Sequence, residues 1–117
     1  MINTDPMEAY ILHHIDEEPE QLRKIHRETH LRLLHGHMVS GHLQGRVLKM
    51  LVRMIRPSRV LEIGTYTGYS ALCIAEGLEE GARLHTIEID DELEEMIRSN
   101  FKLSKHGECI TLHIGDA

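Results

Sequence analysis

The feature that most constrains this chain is the run Val60-Leu61-Glu62-Ile63-Gly64-Thr65-Tyr66-Thr67-Gly68-Tyr69-Ser70, with Thr86-Ile87-Glu88-Ile89-Asp90 downstream of it. An apolar strand enters a glycine-bearing turn and then a helix, and about twenty residues later a second strand ends in a carboxylate. Such a unit builds an open α/β sheet with a nucleotide-type cofactor over its strand ends, the acid being placed for ribose hydroxyls. Glycine spacing then selects the cofactor. Dinucleotide folds use Gly-x-Gly-x-x-Gly, which seats a pyrophosphate on the helix N-terminus. Here the spacing is Gly64-x-x-x-Gly68, with Glu62 just before the turn. A carboxylate there repels pyrophosphate and suits the amino group of a methionine-like ligand. The turn therefore reads as an S-adenosylmethionine site.

The rest of the chain supplies the elements around that turn. Asp5-Pro6-Met7-Glu8 has the N-cap acid, first-turn proline and following Glu of a helix start. The first helix carries Tyr10, Ile11, His14 and Ile15 toward one side and breaks at Glu18-Pro19. A second helix from about Pro19 presents Leu22, Ile25, Thr29 and Leu33 at spacings of three and four, ending near Gly36. A third opens at Ser40-Gly41, with Leu43, Val47, Leu48, Leu51, Val52 and Ile55 as its apolar face and Pro57 as its stop. Strand 59–63, helix 69–80, strand 83–89, helix 91–106 and strand 109–114 then alternate. That order predicts parallel strands joined by right-handed crossovers. No Gly/Ser-rich break separates the helical residues 1–56 from the α/β residues 57–117, so one structural domain with a helical annex is expected.

Composition narrows the partners. A formal net charge of −6 argues against nucleic acid. No apolar run reaches the ~18 residues of a membrane span, and Met1 to Pro6 lacks the basic and apolar regions of a signal peptide. Cys73 and Cys109 lack metal-type spacing and sit in apolar segments, as buried free thiols of a reducing cytoplasm do.

VLEIGTYTGYSALCIA, TIEID, MVSGHLQG upstream and GDA at the end together resemble the class I O-methyltransferases, of the caffeoyl-CoA and catechol O-methyltransferase type. The resemblance implies a Rossmann-like sheet of seven strands, of which this sequence supplies the first three. It also implies a divalent metal such as magnesium, whose carboxylate and amide ligands lie beyond the position matching Ala117. The chain is accordingly expected to be the N-terminal part of an enzyme and inactive alone. His42 and Gln44 stand where the animal enzymes carry an acid and a lysine, so substrate details do not transfer.

The candidate cofactor residues follow from the turn and the resemblance together. Glu62 would meet the cofactor's amino group, and Glu88 would accept both ribose hydroxyls. Gly64 and Gly68 would give the backbone its close approach and positive φ. The resemblance adds Tyr66 and Ser70 at the methionine end, Val39 and Ser40 over the amino-acid part, and Ala117 at the adenine. For Val39 and Ser40 the alternative is an ordinary loop with a serine N-cap; for Glu62 and Glu88 it is a solvated strand-end acid. Asp90 and Asp91 are better explained as helix caps. Ten histidines, with His26 and His30 four apart, suggest adventitious metal binding rather than a native site. No catalytic nucleophile is legible.

Two further readings compete with methyl transfer to a small catechol- or phenol-like hydroxyl. One is a non-catalytic cofactor-binding or assembly module: without a fourth strand, the apolar 59–63 edge is unpaired and invites a homodimer or larger assembly. The other is a nicotinamide oxidoreductase, disfavoured because Tyr66 replaces the second fingerprint glycine.

Overall fold

The computed structural model describes residues 5–117; the signal-peptide reading of Met1 to Thr4 lies outside them. Helices α1 (Pro6–His14), α2 (Glu20–Arg32) and α3 (His42–Ile55) precede β1 (Arg59–Ile63), α4 (Tyr69–Gly77), β2 (Arg83–Glu88), α5 (Glu94–Leu103) and β3 (Ile110–Ile114). Short 3-10 turns at Gly36–Met38, Asp91–Leu93 and Gly107–Cys109 fill the connections.

The three strands are parallel and lie in the order β1-β2-β3, with Arg59 opposite Arg83 and Leu84 opposite Ile110. Strands laid down in sequence order by right-handed crossovers place both intervening helices on one face. The burial pattern reports this directly. Leu84, Thr86 and Glu88 of β2 are buried, whereas Leu61, Ile63 and Ile89 are exposed, each by more than 60%. The other face and the free β1 edge are thus uncovered among the described residues. The core lies between the sheet and the helices that cover it, where Leu72, Ile74, Leu84, Ile97, Phe101 and Leu112 pack together with Leu22 and Ile25 of α2.

Close packing of α3 on α4 depends on two glycines. A Cβ on Gly45 would lie 2.5 Å from Cys73 Sγ, and one on Gly77 would lie 2.9 Å from the Lys49 carbonyl oxygen. Beside this contact Glu76 of α4 accepts from Arg46 Nη2 (2.7 Å) and Lys49 Nζ (2.8 Å) of α3. The ion pairs are mostly sheltered from water, with side-chain exposures of 10–19%.

Several local expectations are corrected. The α3 face toward α4 runs through Gly45 and Val52, so Val47, Leu51 and Ile55 remain exposed. The glycines set the line of closest approach, which apolar periodicity alone does not show. No described residue of α1 is buried, and Tyr10 is exposed. Ser40 caps nothing: Gly41 is the N-cap of α3, without a side-chain bond. Helix α4 stops at Gly77 and α5 spans only Glu94–Leu103, their predicted ends being turns. Cys109 is only partly buried, because it sits on the turn before β3, its thiol 3.3 Å from the His106 carbonyl. Asp5 caps α1 by accepting from the Met7 N–H (3.0 Å), and Asp90 caps its 3-10 turn through the Glu92 N–H (3.0 Å).

Candidate functional site

Three residues in the turn after β1 have left-handed backbone: Gly64 (φ 93°), Tyr66 (φ 53°) and Gly68 (φ 95°). Glycine takes this region freely, whereas tyrosine needs a reason to stay there. The reason is Glu88 on the adjacent strand, whose Oε1 accepts from the Tyr66 N–H at 2.7 Å. The Gly64 and Thr65 N–H groups continue the sheet by donating to the Ile87 carbonyl oxygen, at 2.8 and 3.2 Å. Gly68 then N-caps α4, and a Cβ there would come 2.6 Å from Phe101 Cε1. The turn is also braced from behind. Asn100 Nδ2 of α5 donates to the Thr67 carbonyl (2.9 Å), and Thr29 Oγ1 of α2 meets Thr67 Oγ1 at 2.9 Å.

Glu88 is buried at the carboxyl end of β2 and is held at both oxygens, with Oε2 accepting from the Asp90 N–H (3.0 Å). A carboxylate has about four acceptor sites, so two backbone bonds orient Glu88 and leave lone pairs for a further donor. Glu62, at the end of β1, accepts from Thr86 Oγ1 (2.7 Å) and Ser70 Oγ (2.5 Å). Burial pushes the Glu62 carboxyl above the usual range, opposed by the Ser70 and Thr86 hydrogen bonds and reinforced by the nearby Glu88 charge.

Val39, Ser40, Gly64, Tyr66 and Ser70 line one cavity together with Met38, Thr65, Thr67 and Tyr69. Glu62 stands behind Ser70, Glu88 is joined to the cavity wall through the Tyr66 N–H, and Gly68 shapes the turn against Phe101. Ala117 is exposed beyond β3 and is not among the lining residues. The cavity encloses about 70 Å³. That is room for one end of a ligand, against the ~300–1,000 Å³ of a pocket that encloses a whole one; the remainder would run along the open strand ends. Tyr66 Oη is buried without a hydrogen-bond partner among the described residues. Burial and Glu88 both raise the Tyr66 phenol, so it remains a neutral donor.

Sequence reasoning missed Thr65, Thr67 and Thr86, all of them buried. A signal was present: Thr86 lies between Leu84 and Glu88 on the core-facing parity of β2, where a hydroxyl needs a partner. Tyr69, set aside as a packing residue, is buried, donates its hydroxyl to Glu18, and also lines the cavity.

A left-handed turn between adjacent parallel strands, with a carboxylate held at the end of each, defines a nucleotide-type cofactor sheet. Residues 12–117 match the O-methyltransferase family model, and the chain belongs to that family. The catechol O-methyltransferase domain-containing protein 1 of Mus musculus is 32% identical over 113 residues, 97% of this chain and 43% of that relative. Among solved structures, the SAH-bound methyltransferase PaMTH1 of Podospora anserina is 31% identical with a TM-score of 0.86, covering 95% of this chain and 48% of that one. The O-methyltransferase TomG of Streptomyces achromogenes, in complex with SAM, is 30% identical with a TM-score of 0.80, covering 99% of this chain and 53% of that one. The chain therefore has the fold of S-adenosylmethionine-dependent O-methyltransferases and spans about half the length of these relatives. No helix among the described residues is long and apolar enough to cross a membrane.

Proposed function

We propose that this chain holds S-adenosylmethionine for methyl transfer to the hydroxyl of a small catechol- or phenol-like acceptor. The observation that carries the reading is the pair of carboxylates, half-buried Glu62 and buried Glu88, on either side of the left-handed Gly64–Gly68 turn. Glu88, oriented by the Tyr66 and Asp90 N–H groups, accepts ribose hydroxyls through its remaining lone pairs. Ser70, with Glu62 behind it, accepts the ammonium group. Val39, Ser40 and Tyr66 close around the amino-acid end, while Gly64 and Gly68 keep side chains out of the way. Ala117 is assigned to the adenine only by its place after β3. When bound, the cofactor supplies a sulfonium methyl that an oxygen nucleophile attacks in line; this chain's part is to position it.

The magnesium expected from the resemblance does not fit the residues described. No group of three or more His, Cys, Asp or Glu is brought together among them. No step is derived through a metal. Glu62 and Glu88 are assigned to the cofactor and no described residue is assigned as a base for the acceptor hydroxyl, so these 117 residues are proposed to bind cofactor and not to turn over. Calorimetric titration tests this: S-adenosylhomocysteine should bind and NAD should not. Tighter binding of NAD would favour the oxidoreductase reading, and methylation of a catechol with magnesium would overturn the inactivity.

The exposed Leu61 and Ile63 on the free β1 edge support a second reading, assembly into a homodimer or larger oligomer. A monomer mass by light scattering at micromolar concentration would overturn it. Residues 1–56 and 57–117 are proposed to act as one domain, supported by the α3–α4 glycine contacts and ion pairs. A cytoplasmic location is proposed on the strength of two free thiols.

A further inference from the structure

We infer that Thr86, backed by Thr65, is a positioning residue of this site: a one-way hydroxyl relay that keeps Glu62 a carboxylate and turns the lone pairs of Ser70 Oγ toward the cavity, selecting a ligand end that bears an ammonium group. The inference rests on the cofactor reading above. It follows from counting protons.

A hydroxyl carries one proton and an ionised carboxylate carries none. Thr86 gives its proton to Glu62 Oε1 (2.7 Å). The 2.5 Å contact between Thr65 Oγ1 and Thr86 Oγ1 must therefore run from Thr65 to Thr86. Ser70 gives its proton to Glu62 Oε2 at 2.5 Å, yet Ser70 also lines the cavity. With its proton committed, Ser70 Oγ offers the cavity only lone pairs. An ammonium group can use them; a carboxylate or carbonyl cannot. If Glu62 took up a proton, that proton would occupy one of its two hydroxyl links and free a hydroxyl hydrogen to turn elsewhere. The charge of Glu62 and the polarity of Ser70 are thus coupled.

The relay has something to oppose. Burial raises the Glu62 carboxyl and Glu88 repels its charge, leaving the Thr86 and Ser70 hydrogen bonds as the influences that favour ionisation. Glu88, on β2, is the charged group that bears on Glu62 among the described residues; the α4 and β2 groups bonded to it are neutral hydroxyls. Thr86 and Thr65 are themselves buried, at 0% and 2% exposure, so no water substitutes for either one.

Thr86→Val keeps the branched shape and removes the donor; Thr86→Ser restores it. Carbon-13 NMR titration of the Glu62 carboxyl should show its midpoint raised by about one pH unit in Thr86→Val, the effect of one charge-assisted hydrogen bond, and unchanged in Thr86→Ser. Thr65→Val, which leaves Thr86 in place, should move it upward by less and serves if Thr86→Val fails to fold. In calorimetry, S-adenosylhomocysteine should bind Thr86→Val more weakly at acidic pH, by up to the roughly tenfold that a one-unit shift allows, and recover fully as the pH rises. Binding of the deaminated analogue S-adenosyl-4-thiobutyrate, which keeps the carboxylate and lacks the ammonium group, should not change. A Glu62 midpoint that stays put, or an equal loss for both ligands, overturns the relay. A wild-type chain that binds neither ligand overturns the cofactor reading, and the ammonium selection with it.

Discussion

Replacing Gly68 with alanine tests two separate demands that the fold places on one atom. Gly68 has φ 95°, and a Cβ there would lie 2.6 Å from Phe101 Cε1 and 3.3 Å from Cζ. Gly64 supplies the control, since it has φ 93° but no heavy atom within 4 Å of its Cβ position. Gly64→Ala should therefore cost only the left-handed backbone penalty, about 1–2 kcal/mol. Gly68→Ala carries the same penalty plus displacement of a buried ring, itself about 1–3 kcal/mol for overpacking, or about 2–5 kcal/mol together. Urea unfolding followed by circular dichroism reads both, provided the slopes match the wild type. A double-mutant cycle isolates the steric part. Phe101→Leu removes the ring atoms that collide, so the pair should be less destabilised than the sum of the singles by about 1–2 kcal/mol. Equal costs for Gly64→Ala and Gly68→Ala, or strict additivity with Phe101→Leu, would refute the steric argument. The same displacement should weaken S-adenosylhomocysteine binding, because Phe101 cannot move without disturbing the turn that α5 braces.

Three other outcomes follow from the structure. Burial alone would raise the Glu76 carboxyl, but Arg46 and Lys49 outweigh it and hold it at about 2, below the ordinary 4.5; a depressed carboxyl stabilises above its unfolded value, so this contribution should be whole above about pH 4.5 and fade toward pH 2. After discounting for partial solvent exposure it amounts to about 1–2 kcal/mol, and Glu76→Gln should abolish it in acid-unfolding curves. Glu88→Gln leaves one side-chain oxygen to meet two backbone N–H groups and sets an amide donor against the other, so calorimetry should show S-adenosylhomocysteine affinity falling about 10- to 100-fold. Burial pushes the Cys73 thiol up to about 12, whereas Cys109 is only partly covered, so iodoacetamide at pH 8 should place a single adduct on Cys109 by mass spectrometry.

Much of the architecture was legible in the sequence because it is written in short-range chemistry. Asp5-Pro6 marks a helix start, the apolar run into the Gly64 turn marks a strand, and the βαβ order dictates parallel pairing. Glu62, the two turn glycines and Glu88 stand out because backbone geometry and charge restrict which residues occupy such positions. What escaped was set by contacts between segments distant in the chain. The apolar stripe of α3 does not reveal which of its sides meets α4, since Gly45 and Gly77 decide that by letting the backbones approach. Nor does Thr86 declare its role by type. A threonine in a strand is ordinary until Glu62 and Thr65, 24 and 21 residues away, are brought to either side of its hydroxyl. By itself the sequence determined which elements form and where the carboxylates lie along the chain. Only the tertiary structure decided which protons those carboxylates receive, because a hydrogen bond depends on ångström-scale placement that residue type and spacing do not encode.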